Sequence, residues 1–476
     1  MKWETVIGLE VHAELSTKSK IFCACTTAYG GEPNTHVCPV CSGMPGTLPT
    51  LNRAVVEYAL RVGLALGCTI TKHCRFDRKN YFYPDLPKAY QVSQFHSPIG
   101  RNGRLGIEVD GQARDIGISE IHMEEDSGKL IHDRGGTYMD FNRCGVPLLE
   151  IVSRPDFRNA AEVIAYLEKL RETLMYLDVC DCKMQEGSLR ADVNISVRPA
   201  GGEMGVRTEM KNINSFKAIR RAIEHETMRQ IQVLESGGQV AQETRRWDDG
   251  MGRSFAMRSK ENAPDYRYFP EPDLPPIHVD DAWLDRIKRT MPEPAWQKRE
   301  RYVGVYGLSE YDASVLTTHR NISRQFESLA EHSGEPVESA RLVTGEIMRL
   351  MNGANIQPEN LNLDIGKFST LVSLVVGGRI NRGAYKETAE AVFTHNLDPE
   401  NYIAENGLAM LDSGEAIDGA VDAVLAGNAN AVAEYRAGKT KVFGFLMGQV
   451  MEKLGGAGNP DTAKKSLAAK LDEFHG

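Results

Sequence analysis

The stretch E-T-V-I-G-L-E-V-H-A-E-L at residues 4–15 decides how the first part of this chain is read. Its side chains alternate between two faces with the period of a β-strand. Ile7, Leu9, Val11, Ala13 and Leu15 share one face and suit a core, while Glu10, His12 and Glu14 share the other. Same-face neighbours stand about 7 Å apart along a strand, so a Glu and a His at this spacing can reach one ion. An isolated Glu-x-His is better explained by a solvated strand face, and the decision needs other segments.

Two such segments are present. Residues 118–128, I-S-E-I-H-M-E-E-D-S-G, place Glu120, His122, Glu124 and Asp126 on one strand face. Residues 146–152, V-P-L-L-E-I-V, set the single carboxylate Glu150 among apolar neighbours. A carboxylate buried in such a run is costly unless a cation or hydrogen bonds compensate it. Glu10, His12, Glu124 and Glu150 together make an oxygen-rich, hard donor set that suits Mg²⁺ or Mn²⁺ better than Zn²⁺. Whether the segments meet in space is left open by their sequence positions.

Further on, G-S-L-R-A-D-V-N-I-S-V-R-P (187–199) alternates again, with Leu189, Ala191, Val193, Ile195 and Val197 opposite Ser188, Arg190, Asp192, Asn194, Ser196 and Arg198. The next run puts Arg207, Glu209 and Lys211 on one side. One polar and one apolar face is ordinary for an antiparallel sheet open to water. The functional reading is a sheet whose polar face holds a nucleotide, with Arg190, Asp192, Asn194 and Lys211 as candidate nucleotide-binding residues. No G-x-x-x-x-G-K-[ST] occurs, which excludes a P-loop as the phosphate cradle. The block D-R-K-N-Y-F-Y-P-D-L-P-K-A-Y-Q-V-S-Q (77–94), with Pro84 and Pro87, reads as a loop whose Tyr81, Phe82 and Tyr83 either anchor it or stack on a substrate.

The chain has 476 residues, too many for one ordinary core. A net charge of −9 gives no global basic field, so a nucleic-acid partner would need a local patch. No secretory leader and no apolar run of about 18 residues is found, which points to a cytoplasmic protein with no membrane span. In that compartment cysteines are thiols or metal ligands. Cys23-x-Cys25 and Cys38-x-x-Cys41 form a four-thiolate set suited to structural, tetrahedral zinc, with His36 a weaker substitute ligand. Helical patterns appear at 54–66 and 161–176, then prolines cluster at 272–294, and helical patterns follow at 340–351 and 370–377. These signals divide the chain into 1–293, 294–406 and 407–476, with Asn406-Gly407 as the last hinge. The fold class is α+β: a sheet-based domain followed by all-α regions.

Taken together, V-I-G-L-E-V-H (6–12), the 77–91 block, H-M-E-E-D-S-G-K (122–129), N-R-C-G-V-P-L-L-E-I-V-S-R-P-D (142–156), E-G-S-L-R-A-D-V-N-I-S (186–196), K-N-I-N-S-F (211–216), E-T-R-R-W-D (243–248) and D-Y-R-Y-F-P-E-P-D (265–273) resemble the GatB/GatE family, the B subunits of aspartyl/glutamyl-tRNA(Asn/Gln) amidotransferases. The resemblance implies a cradle like that of glutamine synthetase and guanido kinases, an antiparallel sheet with helices, followed by a helical domain and a tRNA-binding tail. It implies ATP and Mg²⁺ in the cradle, with Glu10, His12, Glu124 and Glu150 as metal ligands. The implied reaction is phosphorylation of the side-chain carboxylate of Glu-tRNA(Gln) or Asp-tRNA(Asn), then displacement of phosphate by ammonia, an EC 6.3.5 ligation. No Ser/Lys amidase signature or Cys-His glutaminase is present. The resemblance therefore assigns ammonia supply to the family's amidase (A) and small (C) subunits, joined with this chain in a heterotrimer.

The tail from Leu408 carries seven Lys/Arg against nine Asp/Glu. Its candidate tRNA contact is Arg436, Lys439 and Lys441, just before V-F-G-F-L-M-G-Q-V-M (442–451), where Gly444 and Gly448 permit close backbone approach. Two rivals stand beside this reading. A self-contained ATP-dependent carboxylate ligase or kinase of the same fold leaves the tail without a task. A noncatalytic tRNA-binding protein leaves the acidic set without one.

Overall fold

The computed structural model describes residues 2–259, 265–410, 414–455 and 458–473. The chain divides into two compact units, Met1–Pro294 and Ala295–Gly476. The fold class is α+β.

In the first unit the alternating segments become a nine-stranded sheet. Its strands are β1 (Trp3–Glu14), β2 (Thr69–Ile70), β3 (Gly100–Val109), β4 (Gln112–Glu125), β5 (Pro147–Ser153), β6 (Leu189–Pro199), β7 (Thr208–Lys211), β8 (Glu243–Asp248) and β9 (Arg253–Ser259), in the order β9-β8-β7-β6-β1-β5-β4-β3-β2. The opening strand is therefore the centre of the sheet. The expectation of a purely antiparallel sheet needs one correction: β7 and β8 pair in parallel, because the helix Phe216–Glu235 lies in the connection between them. A crossover of that length lets the chain return in the same direction.

The apolar face forms the core. Ile7, Leu9, Val11 and Ala13 of β1 pack in one cluster with Val55, Val56, Ala59 and Leu60 of α1 (Arg53–Ala65). The same cluster takes in Val163, Tyr166, Leu167 and Leu170 of α2 (Ala160–Tyr176) and Ala218, Ile219, Ala222 and Ile223 of α3 (Phe216–Glu235). Each helix starts on a side-chain cap, as Asn52 accepts from Ala54 N, Asn159 from Glu162 N and Ser215 from Ala218 N. With helices on one face, the polar face of the sheet is left to other work.

The 77–94 block is corrected by the structure. Asp77–Asn80 and Tyr90–Ser93 are strands, paired antiparallel, with Phe269–Pro270 as a third strand. The prolines break only the middle of the block. The buried Asp77 carboxylate fixes the return by accepting from Phe95 N and His96 N, both at 2.9 Å.

The second unit is helical and has two apolar clusters. One runs from Tyr302 to Ile403, the other from Ile417 to Leu471. The helix read at 340–351 contains a π-helical turn, Leu342–Ile347, where Thr344 Oγ1 donates to Ala340 O at 2.9 Å. No helix among the described residues is long and apolar enough to cross a membrane.

Candidate active site

Strand register explains why residues far apart in sequence become neighbours. On β1, His12 stands opposite Glu150 of β5 and Arg190 of β6, while Glu10 stands opposite Asp192 of β6. Glu150 in turn faces His122 of β4, and Asn194 of β6 faces Glu209 of β7. Directly opposed residues share a face and stand about 5 Å apart. The polar face thus carries rows of ionisable groups lining a cleft of 580 Å³.

Two acid clusters form there. His12 Nε2 lies 3.7 Å from Glu124 and 3.5 Å from Glu150, and one donor atom from each of these three residues falls within 4.8 Å of the others. The second cluster is Glu10, Asp192 and Glu209. The four residues read as one donor set are therefore divided. Glu124, Glu150 and His12 come together, and Glu10 instead joins two acids, its carboxylate accepting from Asn194 Nδ2 at 2.9 Å.

The electrostatics follow from burial and neighbours. Burial and the adjacent Glu150 charge push Glu10 and Glu124 above the usual carboxylate range. Burial opposes the charge on His12, yet the hydrogen bond and charge of Glu150, with Glu124, hold it up at about 9. Burial likewise opposes ionisation of Glu150, but His122 and His12 keep it well below the usual value. Asp192 and Glu209 hold Lys211 against the same desolvation, with Lys211 Nζ 3.1 Å from Glu209. Arg190 does not face open space either, since its NH2 donates to Asp126 at 2.6 Å. Burial and Asp126 push Glu14, the third polar residue of β1, up to about 8.

Among the residues not taken as site candidates, Glu209 completes the second cluster, and Lys79, Arg207 and Tyr266 line the cleft together with Tyr81, one of the aromatics read as able to stack on a substrate. Glu209 was legible as the middle of the alternating Arg207, Glu209, Lys211 set. Tyr266 carries no periodic signal. It meets Tyr81 edge-on at 5.8 Å, and Lys79 Nζ stands 4.9 Å over its ring. Phe82, by contrast, is 88% exposed.

The cysteine pairs converge apart from the cleft. Sγ atoms of Cys23, Cys25, Cys38 and Cys41 lie within 4.8 Å of one another, and all four are free thiols. Cys41 is pulled down to about 4, first by the Cys23 thiol donating to it and then, against burial, by Cys38 N–H and the Lys20 charge. Lys20 Nζ is 3.6 Å from its sulfur. One readily ionised sulfur among four converging thiols is a donor set that fits a tetrahedral, thiophilic cation. In the tail, Lys439 pairs with Glu434 at 3.4 Å, and Lys441 directly precedes the helix Val442–Lys453. Outside their own helix turns, no described atom comes within 4 Å of the space a side chain would fill at Gly444 or Gly448, so the close approach they permit is not used among the described residues.

Comparison with known proteins agrees with this architecture. The GatB/GatE catalytic domain matches residues 5–285, and the GatB domain matches residues 324–471. Similar proteins span the full length. One from Lachnoclostridium phytofermentans is 55% identical over 474 residues, covering 99% of both chains, and one from Caldicellulosiruptor bescii is 53% identical over 480 residues, covering 100% of both. A relative from Moorella thermoacetica is 49% identical over 476 residues, covering 99% of this chain and 100% of its own. Each of the three is named as the B subunit of an aspartyl/glutamyl-tRNA(Asn/Gln) amidotransferase.

Proposed function

Since the chain belongs to the GatB/GatE family, we propose that it is the activating component of a tRNA-dependent amidotransferase, a ligase that converts Glu-tRNA(Gln), Asp-tRNA(Asn) or both to the amide. The observation that carries the proposal is the pair of acid clusters on one open sheet face. A sheet face built only for solubility does not need buried carboxylates pressed together until their pKa values rise.

The donor chemistry fits magnesium. Two carboxylates and an imidazole with atoms within 4.8 Å can close on a cation whose oxygen ligands sit about 2.1 Å away. His12, Glu124 and Glu150 would hold one ion; Glu10, Asp192 and Glu209 offer a second site of the same character. When bound, magnesium neutralises phosphate oxygens as charge develops on them. Lys211 and Arg190, already ordered by acids, place positive charge along the same face. Lys79, Tyr81 and Tyr266 border the remaining space, which is large enough for a nucleotide and a carboxylate side chain.

The reaction follows from what a carboxylate lacks. Its oxygen is a poor leaving group, so it first attacks the γ-phosphorus of ATP, releasing ADP. Ammonia nitrogen then attacks the activated carbonyl carbon, phosphate departs and the nitrogen loses a proton. Positioning and charge compensation by the strand-borne groups supply the catalysis. The ammonia comes from the amidase (A) partner, and the small (C) partner completes a heterotrimer in the cytoplasm. The cradle, 1–293, shares the glutamine-synthetase and guanido-kinase fold. Residues 294–406 and 407–476 form the helical and tail domains, with Arg436, Lys439 and Lys441 meeting tRNA. Zinc in the Cys23–Cys25–Cys38–Cys41 knuckle has a structural role, because four thiolates leave no open position.

The test uses the purified chain, alone and with an amidase partner, supplied with ATP, glutamine and Glu-tRNA(Gln). Gln-tRNA(Gln) is expected only with the partner. Absence of product even then overturns the proposal, and amidation of free glutamate without tRNA supports a self-contained ligase instead.

A further inference from the structure

Among the described residues, His122 is the one imidazole on the polar face that belongs to neither acid cluster, yet it is within hydrogen-bond distance of a member of one. It sits on β4 directly opposite Glu150 of β5, and its Nε2 is 2.7 Å from Glu150 Oε2. His12 Nε2 approaches that same oxygen from β1 at 3.5 Å. Two imidazoles thus converge on one carboxylate oxygen and restrict where it can move.

The rest of the ring is poorly served. His122 is 9% exposed, and its buried Nδ1 has no hydrogen-bond partner among the described residues. A buried polar atom without a partner costs free energy that an apolar side chain of similar size would not. The arrangement makes sense when the contact at Nε2 is worth more to the site than the orphaned Nδ1 costs the fold. Such trades of stability for geometry are concentrated at functional sites. Metal-binding carboxylates are commonly oriented by hydrogen-bonded partners of this kind.

We propose that His122 is a positioning residue, whose Nε2–H holds Glu150 in the orientation that presents it, with His12 and Glu124, to a divalent cation. The assignment rests on the metal site proposed above. His122 acts through Glu150 and does not touch the cation. It shares β4 with Glu124, so the cation site depends on the β4–β5 register through both residues.

The test titrates Mn²⁺ alone into the full chain, followed by electron paramagnetic resonance, with the melting temperature of the metal-free protein measured in parallel. Wild type is compared with Glu124→Gln, His122→Leu and His122→Gln. His122→Leu is expected to weaken Mn²⁺ binding by about 10- to 100-fold while remaining folded at the temperature of the titration. His122→Gln, whose amide nitrogen reaches the position of Nε2, is expected to restore most of the affinity and to keep the single nitrogen coupling that His12 gives. Mn²⁺ affinity unchanged in His122→Leu overturns the proposal. So does a loss of melting temperature that accounts for the weaker binding, or a nitrogen coupling lost in His122→Gln, which would make His122 a direct ligand. If wild type and Glu124→Gln bind Mn²⁺ alike, the metal site itself is refuted, a result distinguishable from failure at His122 alone.

Discussion

Acids are handled in opposite ways in the helical unit and in the cleft of the first unit. In the helical unit, Glu338 has a side chain only 6% exposed and accepts from both Arg382 and Arg341. The Arg382 hydrogen bond, against some desolvation, holds its carboxyl below the usual value. Glu327 is met there by Lys298, Arg301 and the Tyr302 hydroxyl. In the cleft, six carboxylates (Glu10, Glu124, Asp126, Glu150, Asp192, Glu209) face four Lys and Arg side chains (Lys79, Arg190, Arg207, Lys211) together with His12, and Glu10 and Glu124 are pushed up. The difference separates acids that complete their own structure from acids that, in the function proposed above, would be held for a cation.

The largest expected effect breaks the cleft side of that comparison. Glu124→Ala should lower tRNA amidation on the order of 10²- to 10³-fold or more, as loss of a transition-state charge partner does. Thermal unfolding of the metal-free protein should be unchanged or improved, because a buried acid repelled by Glu150 has been removed. Full activity in a rate assay would show that Glu124 plays no part in the site. Glu338→Ala is the mirror experiment. It should cost about 1 kcal/mol in denaturant unfolding, because Arg382 and Arg341 are more than half exposed and regain water when the carboxylate is lost, with kcat close to wild type. A loss of kcat without loss of stability would erase the distinction between the units.

Acid titration sharpens the same contrast through its sign. The folded-state pKa of Glu338 lies below 4.5. Its contribution to stability is therefore present above that unfolded value and is lost as pH falls through the folded one. Glu10 and Glu124 lie above 4.5, so their ionisation costs stability near neutrality, and protonation on acidification relieves that cost. In metal-free protein, Glu338→Gln should flatten the stability loss below about pH 4.5. Glu124→Gln should raise stability near pH 7 and converge with wild type on acidification. Parallel melting curves for all three proteins from acid to neutral pH check both signs, and curves of identical shape would contradict them. The smallest effect belongs to the tail. Lys439→Ala or Lys441→Ala should each weaken tRNA binding a few-fold and reduce the salt slope by about one, measured by filter binding across ionic strengths.

Much of this was legible in sequence where one periodicity governs. The alternation at 4–15 and 187–199 identified both faces of β1 and β6, and the apolar run around Glu150 marked a carboxylate needing compensation. The partition of the acids was not legible. Glu10 and His12 are two residues apart on one strand, but the register with β5 and β6 sends His12 toward Glu150 and Glu10 toward Asp192. Pairing between strands separated by more than a hundred residues is set by packing of the whole core, which no local pattern encodes. The long helix α3 follows directly on the K-N-I-N-S-F motif and was passed over, although Ser215 and the spacing of Ala218, Ile219, Ala222 and Ile223 signal it. At 77–94 the prolines outweighed the strand signal, because the alternation on either side of them lasts only four residues.

The most direct test of the central claim withholds ammonia. The chain, with its amidase partner carrying an inactivated glutaminase site, is given ATP, Mg²⁺ and Glu-tRNA(Gln), and hydroxylamine is added to trap an activated acyl group. The account predicts ADP formation that requires the charged tRNA, together with a γ-glutamyl hydroxamate on that tRNA, both lost in Glu124→Ala. AMP and pyrophosphate as products, or ADP formed at the same rate without charged tRNA and no hydroxamate, would contradict it.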